Sequence, residues 1–255
     1  GIGLSLNADA IRTKDFDWNI SLNLAHNENE VTRLSNDVFT MDKILLGDVF
    51  IRGGSSSGTH VLEEGRPIGQ FYGLVCNGID ENGRYIMVDK DGDGEISDPA
   101  DYDYIGSAQP KLTYGITNTF RYKNFDLSFF LRGTIGNDIL NATRMAYAQS
   151  GFLPGTNALD DPLTYTLSET PRFSNYYLEK GSFMRLDNLT LGYKIKALNG
   201  IRVYFTAQNL FVITKYKGLD PEVPMDSGDG LTPGVEPREF YPKARTFSVG
   251  LNLNF

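Results

Sequence analysis

The last twelve residues, ARTFSVGLNLNF (244–255), constrain the fold more than any other stretch of the chain. Apolar residues occupy every second position, and small or polar residues fill the positions between them. Side chains alternate between the two faces of a β-strand, so one face of this strand is apolar and the other is polar. A soluble β-sandwich tolerates this pattern. A membrane β-barrel requires it, because its wall separates lipid from a wet lumen.

Six further stretches alternate in the same way and predict six more strands. They cover residues 1–12, 17–34, 112–122, 125–132, 182–196 and 201–214. Short turns alternate with three long connections, which cover 35–110, 138–181 and 215–243. Residues 139–149, inside the second of these, predict a short helix. The alternation of lengths places all short turns at one end of the sheet and all long connections at the other, as in bacterial outer-membrane barrels.

Aromatic residues cluster at the short-turn ends of the predicted strands. They are Phe16, Trp18, Tyr122, Phe125, Tyr193 and Phe255. This distribution is typical of the aromatic girdle at a membrane interface, although core aromatics would give the same pattern. The predicted fold class is therefore all-β, an antiparallel transmembrane β-barrel with long extracellular loops. Seven strands are too few to close such a barrel, so we expect a fragment of a longer protein.

Composition excludes several functional classes. The net charge of −8 argues against a nucleic-acid binder. One cysteine, Cys76, and two histidines, His26 and His60, leave no disulfide framework and no cysteine- or histidine-based metal motif. With only two histidines in the chain a hydrolytic triad is not expected, so we predict a protein that is not an enzyme. A glycosidase with paired carboxylates stays open, because any two of 32 acids could converge.

The segment DKDGDGEIS (89–97) has the spacing of a calcium loop. Acids occupy positions 1, 3 and 5, and a glycine occupies position 6, where the chain must turn sharply. Ala100 stands at position 12, where a bidentate acid is expected, and Asp98 and Asp101 are the nearest substitutes. The candidate Ca²⁺ ligands are Asp89, Asp91, Asp93, Glu95, Ser97 and Asp101. The alternative is a turn of Asp-Gly steps that needs no metal.

Tyrosines in the long connections and polar residues on the inner face of the strands are the candidate ligand contacts. Tyrosine rings beside Asp and Asn suit stacking on sugars or gripping peptides, although they also pack loops together. The candidates are Tyr72, Tyr85, Tyr102, Tyr147, Tyr176, Arg132 and Tyr204.

Several segments together resemble the C-terminal part of SusC/RagA-like TonB-dependent outer-membrane transporters. They are NISLNLAHNENEVTRL (19–34), EEGRPIGQFYGLVCNGI (63–79), DGDGEIS (91–97), YIGSAQPKLTYGITNTFRYKNFDLSFFLRGTIGNDI (104–139), KGSFMRLDNLTLGY (180–193), IRVYFTAQNLFVITKYKGLDPEV (201–223) and the closing strand. The resemblance implies a 22-stranded barrel, of which this chain supplies the last strands, with a plug domain and N-terminal strands elsewhere.

The resemblance also implies a function. Members of this family import oligosaccharides or peptides together with a SusD-like surface lipoprotein, driven by TonB acting on the plug. The chain is then expected in the outer membrane, in contact with lipid, with its loops outside the cell and its C-terminus in the periplasm. A secreted, soluble β domain that binds carbohydrate and calcium is the alternative.

Overall fold

The computed structural model describes most of the chain. The described residues are 1–36, 38, 40–54, 57–198, 201–222, 230–237 and 241–253. Phe255, which the sequence places in the aromatic girdle, lies outside these ranges.

Strands dominate the described residues, and the helices are short. The strands are β1 (Ile2–Arg12), β2 (Phe16–His26), β3 (Lys43–Val49), β4 (Ser57–Glu63), β5 (Gln70–Leu74), β6 (Cys76–Ile79), β7 (Tyr85–Met87), β8 (Tyr102–Ser107), β9 (Leu112–Tyr122), β10 (Phe125–Ile135), β11 (Asp138–Leu140), β12 (Leu178–Lys180), β13 (Phe183–Ile195), β14 (Ile201–Thr214) and β15 (Thr246–Asn252). The α-helices are α1 (Ala142–Tyr147) and α2 (Pro162–Thr166), and single 3-10 turns cover Asn175–Tyr177 and Lys196–Leu198.

Seven strands form one antiparallel sheet, which we call the wall, in the order β1-β2-β9-β10-β13-β14-β15. These are the seven strands predicted from the alternation, so the prediction is confirmed. Every pair of neighbours in the wall is antiparallel. The turn at Lys123-Asn124 joins β9 to β10, and Lys123 adopts a positive φ of 52° there. Among the described residues no helix is long and apolar enough to span a membrane.

Two predicted boundaries differ from the structure. The second strand ends at His26 rather than near Leu34. Beyond it Val31 accepts a hydrogen bond from Gly65 N and donates one to Arg66 O, so residues 27–34 belong to the loops. The helix predicted over 139–149 is confined to α1, because Asp138–Leu140 pairs with β12 instead.

Among the described residues, the strands of the wall contribute no side chain to a cluster of buried apolar residues. Its apolar face is largely exposed in this chain; Ile2, Val249 and Leu251 are 76%, 76% and 62% exposed. The opposite face carries small and polar residues. This two-faced sheet is the arrangement that a barrel wall needs.

The long connections fold into a second region with a buried interior. A four-stranded sheet, β3-β4-β5-β8, lies within 35–110. Side chains from the first two long connections and their flanks form one cluster, which we call the loop core. Its members are Val49, Ile51, Phe71, Ala108, Leu140, Ala142, Met145, Ala148, Leu163, Leu167, Phe173 and Tyr177. The third long connection contributes Val235, which packs against this core.

Candidate metal loop and ion-pair network

Three of the predicted calcium ligands converge. One carboxylate oxygen from each of Asp89, Asp91 and Asp101 lies within 4.8 Å of the others. The backbone holds two of these groups in place: Asp89 accepts hydrogen bonds from Gly92 N (2.6 Å) and Gly94 N (2.9 Å). Both glycines have a positive φ, +79° and +89°, which residues with a side chain rarely adopt. The donor set is therefore one that a hard cation such as Ca²⁺ prefers.

Asp101 closes the loop although it stands one place beyond position 12. Its side chain is 1% exposed and accepts hydrogen bonds from Ser97 N (2.7 Å) and Lys90 N (2.5 Å). These bonds hold the pKa of the Asp101 carboxyl below its ordinary value. Asp98, the other substitute, points elsewhere and pairs with Arg172 at 2.8 Å.

The other predicted ligands do not join this group of carboxylates. Asp93 is exposed, and its side chain accepts a hydrogen bond from Glu95 N at 2.8 Å. Glu95 is exposed as well, and Ser97 takes part through its backbone N–H. Asp91 carries the effect of the crowding. A hydrogen bond from Asp93 N lowers its pKa, but partial desolvation and the neighbouring acids Asp93, Asp101 and Asp89 outweigh that bond, so the pKa of Asp91 lies above its ordinary value.

Most of the candidate tyrosines pack the loops against one another. Tyr85 and Tyr177 share a hydrogen bond between their hydroxyl groups (2.5 Å), and Tyr176 contacts both rings. Burial raises the pKa of Tyr85 to about 12. Tyr102 is 4% exposed, and its ring meets Tyr72 edge-on at 5.8 Å.

Cations cover three of the partly exposed rings. Lys43 Nζ lies 4.9 Å from the ring centre of Tyr72, and Arg52 lies at the same distance from the ring of Tyr147. On the polar face of the wall, Tyr204 lies flat over Gly250, since a Cβ at that glycine would come within 2.3 Å of the ring. Arg202 stacks on Tyr204 at 5.0 Å. Tyr204 is thus part of the surface of the wall.

Arg132 belongs to a network that its position in the sequence does not reveal. Its guanidinium donates to both carboxylate oxygens of Glu222 (2.6 and 3.1 Å) and to Asp187 (3.1 Å). Glu222 also pairs with Lys243 and, at 3.4 Å, with Arg185. Burial raises the pKa of Glu222, but the hydrogen bonds from Arg132 and Lys243 outweigh burial, so this pKa lies below its ordinary value.

The most buried pair of the network is Arg185 with Asp220, 2.5 Å apart, with side chains 4% and 5% exposed. Arg132 and Arg185 are direct neighbours on β10 and β13. Asp220, Glu222 and Lys243 come from the third long connection, which the network therefore fastens to the wall. A crevice of about 400 Å³ lies beside it, lined by Pro110, Thr113, Tyr114, Arg132, Gly133, Thr134, Asn137, Phe183, Pro221 and Glu222. Sequence reasoning missed the network because its members are far apart in the chain.

The chain is similar to known transport receptors along its whole length. It is 36% identical to the TonB-dependent receptor SusC of Bacteroides thetaiotaomicron and 32% identical to a TonB-dependent receptor of Formosa agariphila. Both alignments cover 100% of this chain, but only 26% and 28% of the relatives. The chain thus spans about a quarter of the length of these relatives. No family model matches it.

Solved structures give the same result for the fold. The RagAB peptide transporter superposes with a TM-score of 0.75 at 26% sequence identity, over 98% of this chain and 28% of that one. The RagAB peptide importer in its closed-closed state gives a TM-score of 0.74 at 25% identity. The two-faced antiparallel wall with its folded loops is therefore a segment of this kind of barrel.

Proposed function

Because the chain belongs to the SusC/RagA-like family of TonB-dependent transporters, we propose that it forms part of the barrel of an outer-membrane importer driven by TonB. The observation that carries this proposal is the wall, whose exposed apolar face needs lipid and whose polar face lines an aqueous lumen. The named relatives are receptors and transporters. Catalysis has no part in the proposal.

The proposed orientation follows from the lengths of the connections. The short turns and the end of β15 face the periplasm, and the long connections 35–110, 138–181 and 215–243 face the outside of the cell, as in outer-membrane barrels in general. The loop core then forms the outer rim of the barrel, where a captured ligand arrives.

The proposed cargo is an oligosaccharide or a peptide, delivered by a SusD-like surface lipoprotein. Two observations support these alternatives: one relative is named SusC, and the similar structures are named peptide transporters. TonB acts through a part of the transporter outside this chain. Of the candidate tyrosines, Tyr72, Tyr85, Tyr147 and Tyr176 are partly exposed on the loops, and they are the proposed contacts with cargo.

Uptake by the full-length transporter tests the proposal. The transporter is expressed in a host that lacks its own copy, and import of labelled oligosaccharides and labelled peptides is measured with and without TonB. We expect one of the two classes to accumulate, and only with TonB. Accumulation at the same rate without TonB would contradict the proposal.

Solubility separates the proposal from the alternative of a secreted carbohydrate- and calcium-binding domain. A barrel wall exposes apolar side chains to lipid and has to be extracted with detergent. If the full-length protein stays monodisperse in buffer without detergent, the transporter proposal fails.

We propose in addition that the loop 89–101 binds Ca²⁺, because three carboxylates converge there with a backbone-held geometry. Asp89, Asp91 and Asp101 are the principal ligands. Asp93, Glu95 and Ser97, the other candidates from the sequence, lie in the same turn but outside this group of carboxylates.

Two variants of the full-length transporter test the calcium proposal. Asp91→Asn removes one charge from the site, and we expect it to weaken Ca²⁺ binding by at least about tenfold, because affinity follows the charge of the ligands. Asp160→Asn removes an exposed acid elsewhere in the loops and serves as the control. Binding is measured by calorimetry, and protection of residues 85–105 by proteolysis with and without chelator. Identical digestion patterns in calcium and in chelator would exclude a structural role for the ion.

A further inference from the structure

Charge is distributed unevenly between the two ends of the wall. The long connections 35–110, 138–181 and 215–243 hold 25 acidic and 12 basic residues, a net charge of −13. The whole chain carries −8, so everything outside the long connections carries +5. Part of that positive charge lies on the short turns, whose segments RTKDFD (12–17), RYKNFD (121–126) and KIKALNGIR (194–202) hold seven basic and three acidic residues.

The short turns lie side by side. Lys123 N donates to Asp15 O at 2.8 Å, which joins the first turn to the second. Lys194 N donates to Asn124 O at 2.9 Å, which joins the second turn to the third. Four lysines in these segments are exposed, and none forms an ion pair with any residue that the structure describes. They are Lys14, Lys123, Lys194 and Lys196.

Directly above these lysines, the apolar face of the wall carries an unbroken row of aromatic rings. Phe16 pairs with Tyr122, Tyr122 with Phe125, and Phe125 with Tyr193. One ring thus stands at the same height on each of four adjacent strands. Tyr122 and Phe125 are 51% and 50% exposed, and Lys123 Nζ lies 5.3 Å from the ring centre of Tyr122. We call the four lysines and the four rings the lysine–aromatic rim.

We propose that the lysine–aromatic rim binds anionic phospholipid headgroups of the membrane leaflet at the short-turn end. This inference rests on the proposed function, which places the apolar face of the wall in a bilayer. Aromatic rings favour the depth of the headgroups, where one edge is apolar and the other wet. Lysines at that depth attract anionic lipids, and four of them here lack a protein counter-ion among the described residues.

The same features argue for a lipid surface rather than a protein partner. The rings form a band at one height across four adjacent strands instead of a compact patch. A planar array of anionic headgroups matches a row of cations distributed over successive turns. The long-connection end, with its net charge of −13, has the opposite character and offers no such match.

Two triple variants of the full-length transporter test the inference. The rim variant is Lys14→Gln, Lys123→Gln and Lys194→Gln. The control variant is Lys111→Gln, Lys215→Gln and Lys217→Gln, which removes the same charge from exposed lysines at the opposite end of the strands. Each protein is reconstituted in nanodiscs of phosphatidylcholine with one quarter phosphatidylglycerol. After delipidation in detergent, the lipids that remain bound are counted by native mass spectrometry.

We expect the rim variant to retain at least about threefold less phosphatidylglycerol than the wild type, and the control variant to retain as much as the wild type. Phosphatidylcholine retention should not change in either variant. Equal loss in both variants, or no loss in the rim variant, would overturn the inference. Failure of all three proteins to enter nanodiscs would instead overturn the proposed function, so the two failures are distinguishable.

Discussion

The wall and the loop core use apolar side chains in opposite ways. In the loop core, Phe71, Met145 and Tyr177 are 0% exposed and are packed on all sides by protein. In the wall, Val249 and Leu251 are 76% and 62% exposed, and the strands are held by their backbone hydrogen bonds. The loop core therefore gains stability by removing apolar surface from water within this chain. The wall requires an apolar solvent to cover the same kind of surface.

This difference determines where substitutions cost stability. Removal of a buried side chain leaves a cavity, whereas removal of a lipid-facing side chain leaves a space that lipid chains fill. The two regions meet at the ion-pair network, where Asp220 and Glu222 of the third long connection contact arginines of the wall. The following predictions concern the full-length transporter.

The largest effect is expected from Phe71→Ala. Phe71 is 0% exposed, and His60 lies against its ring at a centroid distance of 4.5 Å. Loss of the ring should destabilise the loop core by about 3–5 kcal/mol. Hydrogen exchange of amides in β4 and β5 measures this change, and Leu251→Ala in the wall is the matched control. Comparable losses in both variants would show that the two regions do not differ as we infer.

Arg185 lies at the junction of the two regions, and Arg185→Met should lower the free energy of unfolding nearly as much as Phe71→Ala. The substitution leaves the Asp220 carboxylate buried without its main partner, at a cost of about 3–5 kcal/mol. We expect the third long connection to detach and become sensitive to protease. The double variant Arg185→Met with Asp220→Leu removes both charges and should recover much of the loss. If the double variant is as sensitive as the single one, charge burial is not the cause.

Acid should destabilise the loop core before it affects the wall. His60 is 0% exposed; its Nε2 donates to Pro233 O, and its Nδ1 accepts from Thr59. Burial lowers its pKa from 6.5 to about 4, against the opposing effect of the Pro233 hydrogen bond. As the pH falls, His60 therefore becomes protonated in the unfolded state at a higher pH than in the folded state. The free energy of unfolding keeps its full value above pH 6.5. It falls by about 3 kcal/mol as the pH drops towards 4.

The measurement for His60 is hydrogen exchange of β4 and β5 between pH 7.5 and 4.5, with rates corrected for intrinsic exchange. His60→Gln should remove this part of the pH dependence, and His26→Gln at the exposed end of β2 should retain it. Because carboxylates titrate in all three proteins, only the difference in slope is informative. An unchanged slope in His60→Gln would assign the acid sensitivity to those carboxylates.

The wall could be predicted from the sequence because each strand is two-faced. Alternation of apolar and polar residues is local, so Leu112–Tyr122 was predicted with its observed bounds. The predicted end of β2 was wrong because Val31, beyond His26, forms hydrogen bonds with residues 65 and 66. Local alternation does not encode such a contact. The loop core could not be predicted for the same reason: Phe71, Met145 and Phe173 meet across about a hundred residues.

The candidate metal loop and the ion-pair network also differ in whether their contacts are local in the sequence. The carboxylates Asp89 and Asp91 are two residues apart, so their spacing predicted a calcium loop. Asp101 was identified as a substitute for the ligand expected at position 12. The network around Glu222 has no such signature, because Arg132 is 90 residues away along the chain. A contact at that separation depends on the sheet order, which places β10 next to β13 and the base of the third long connection beside both.

The smallest predicted effect concerns a polar contact on the apolar face of the wall. This contact is an exception to the contrast between the wall and the loop core, because it is buried within the wall. Trp18 Nε1 donates to Asn118 Oδ1 at 3.0 Å, and Asn118 is 8% exposed. Lipid offers Asn118 no replacement donor, so Trp18→Phe should cost about 1–2 kcal/mol, measured by urea unfolding in lipid vesicles with circular dichroism. Adding Asn118→Leu removes the unpaired group and should restore stability. If Trp18→Phe alone is neutral, Asn118 is reached by water, and this part of the wall lies outside the apolar layer.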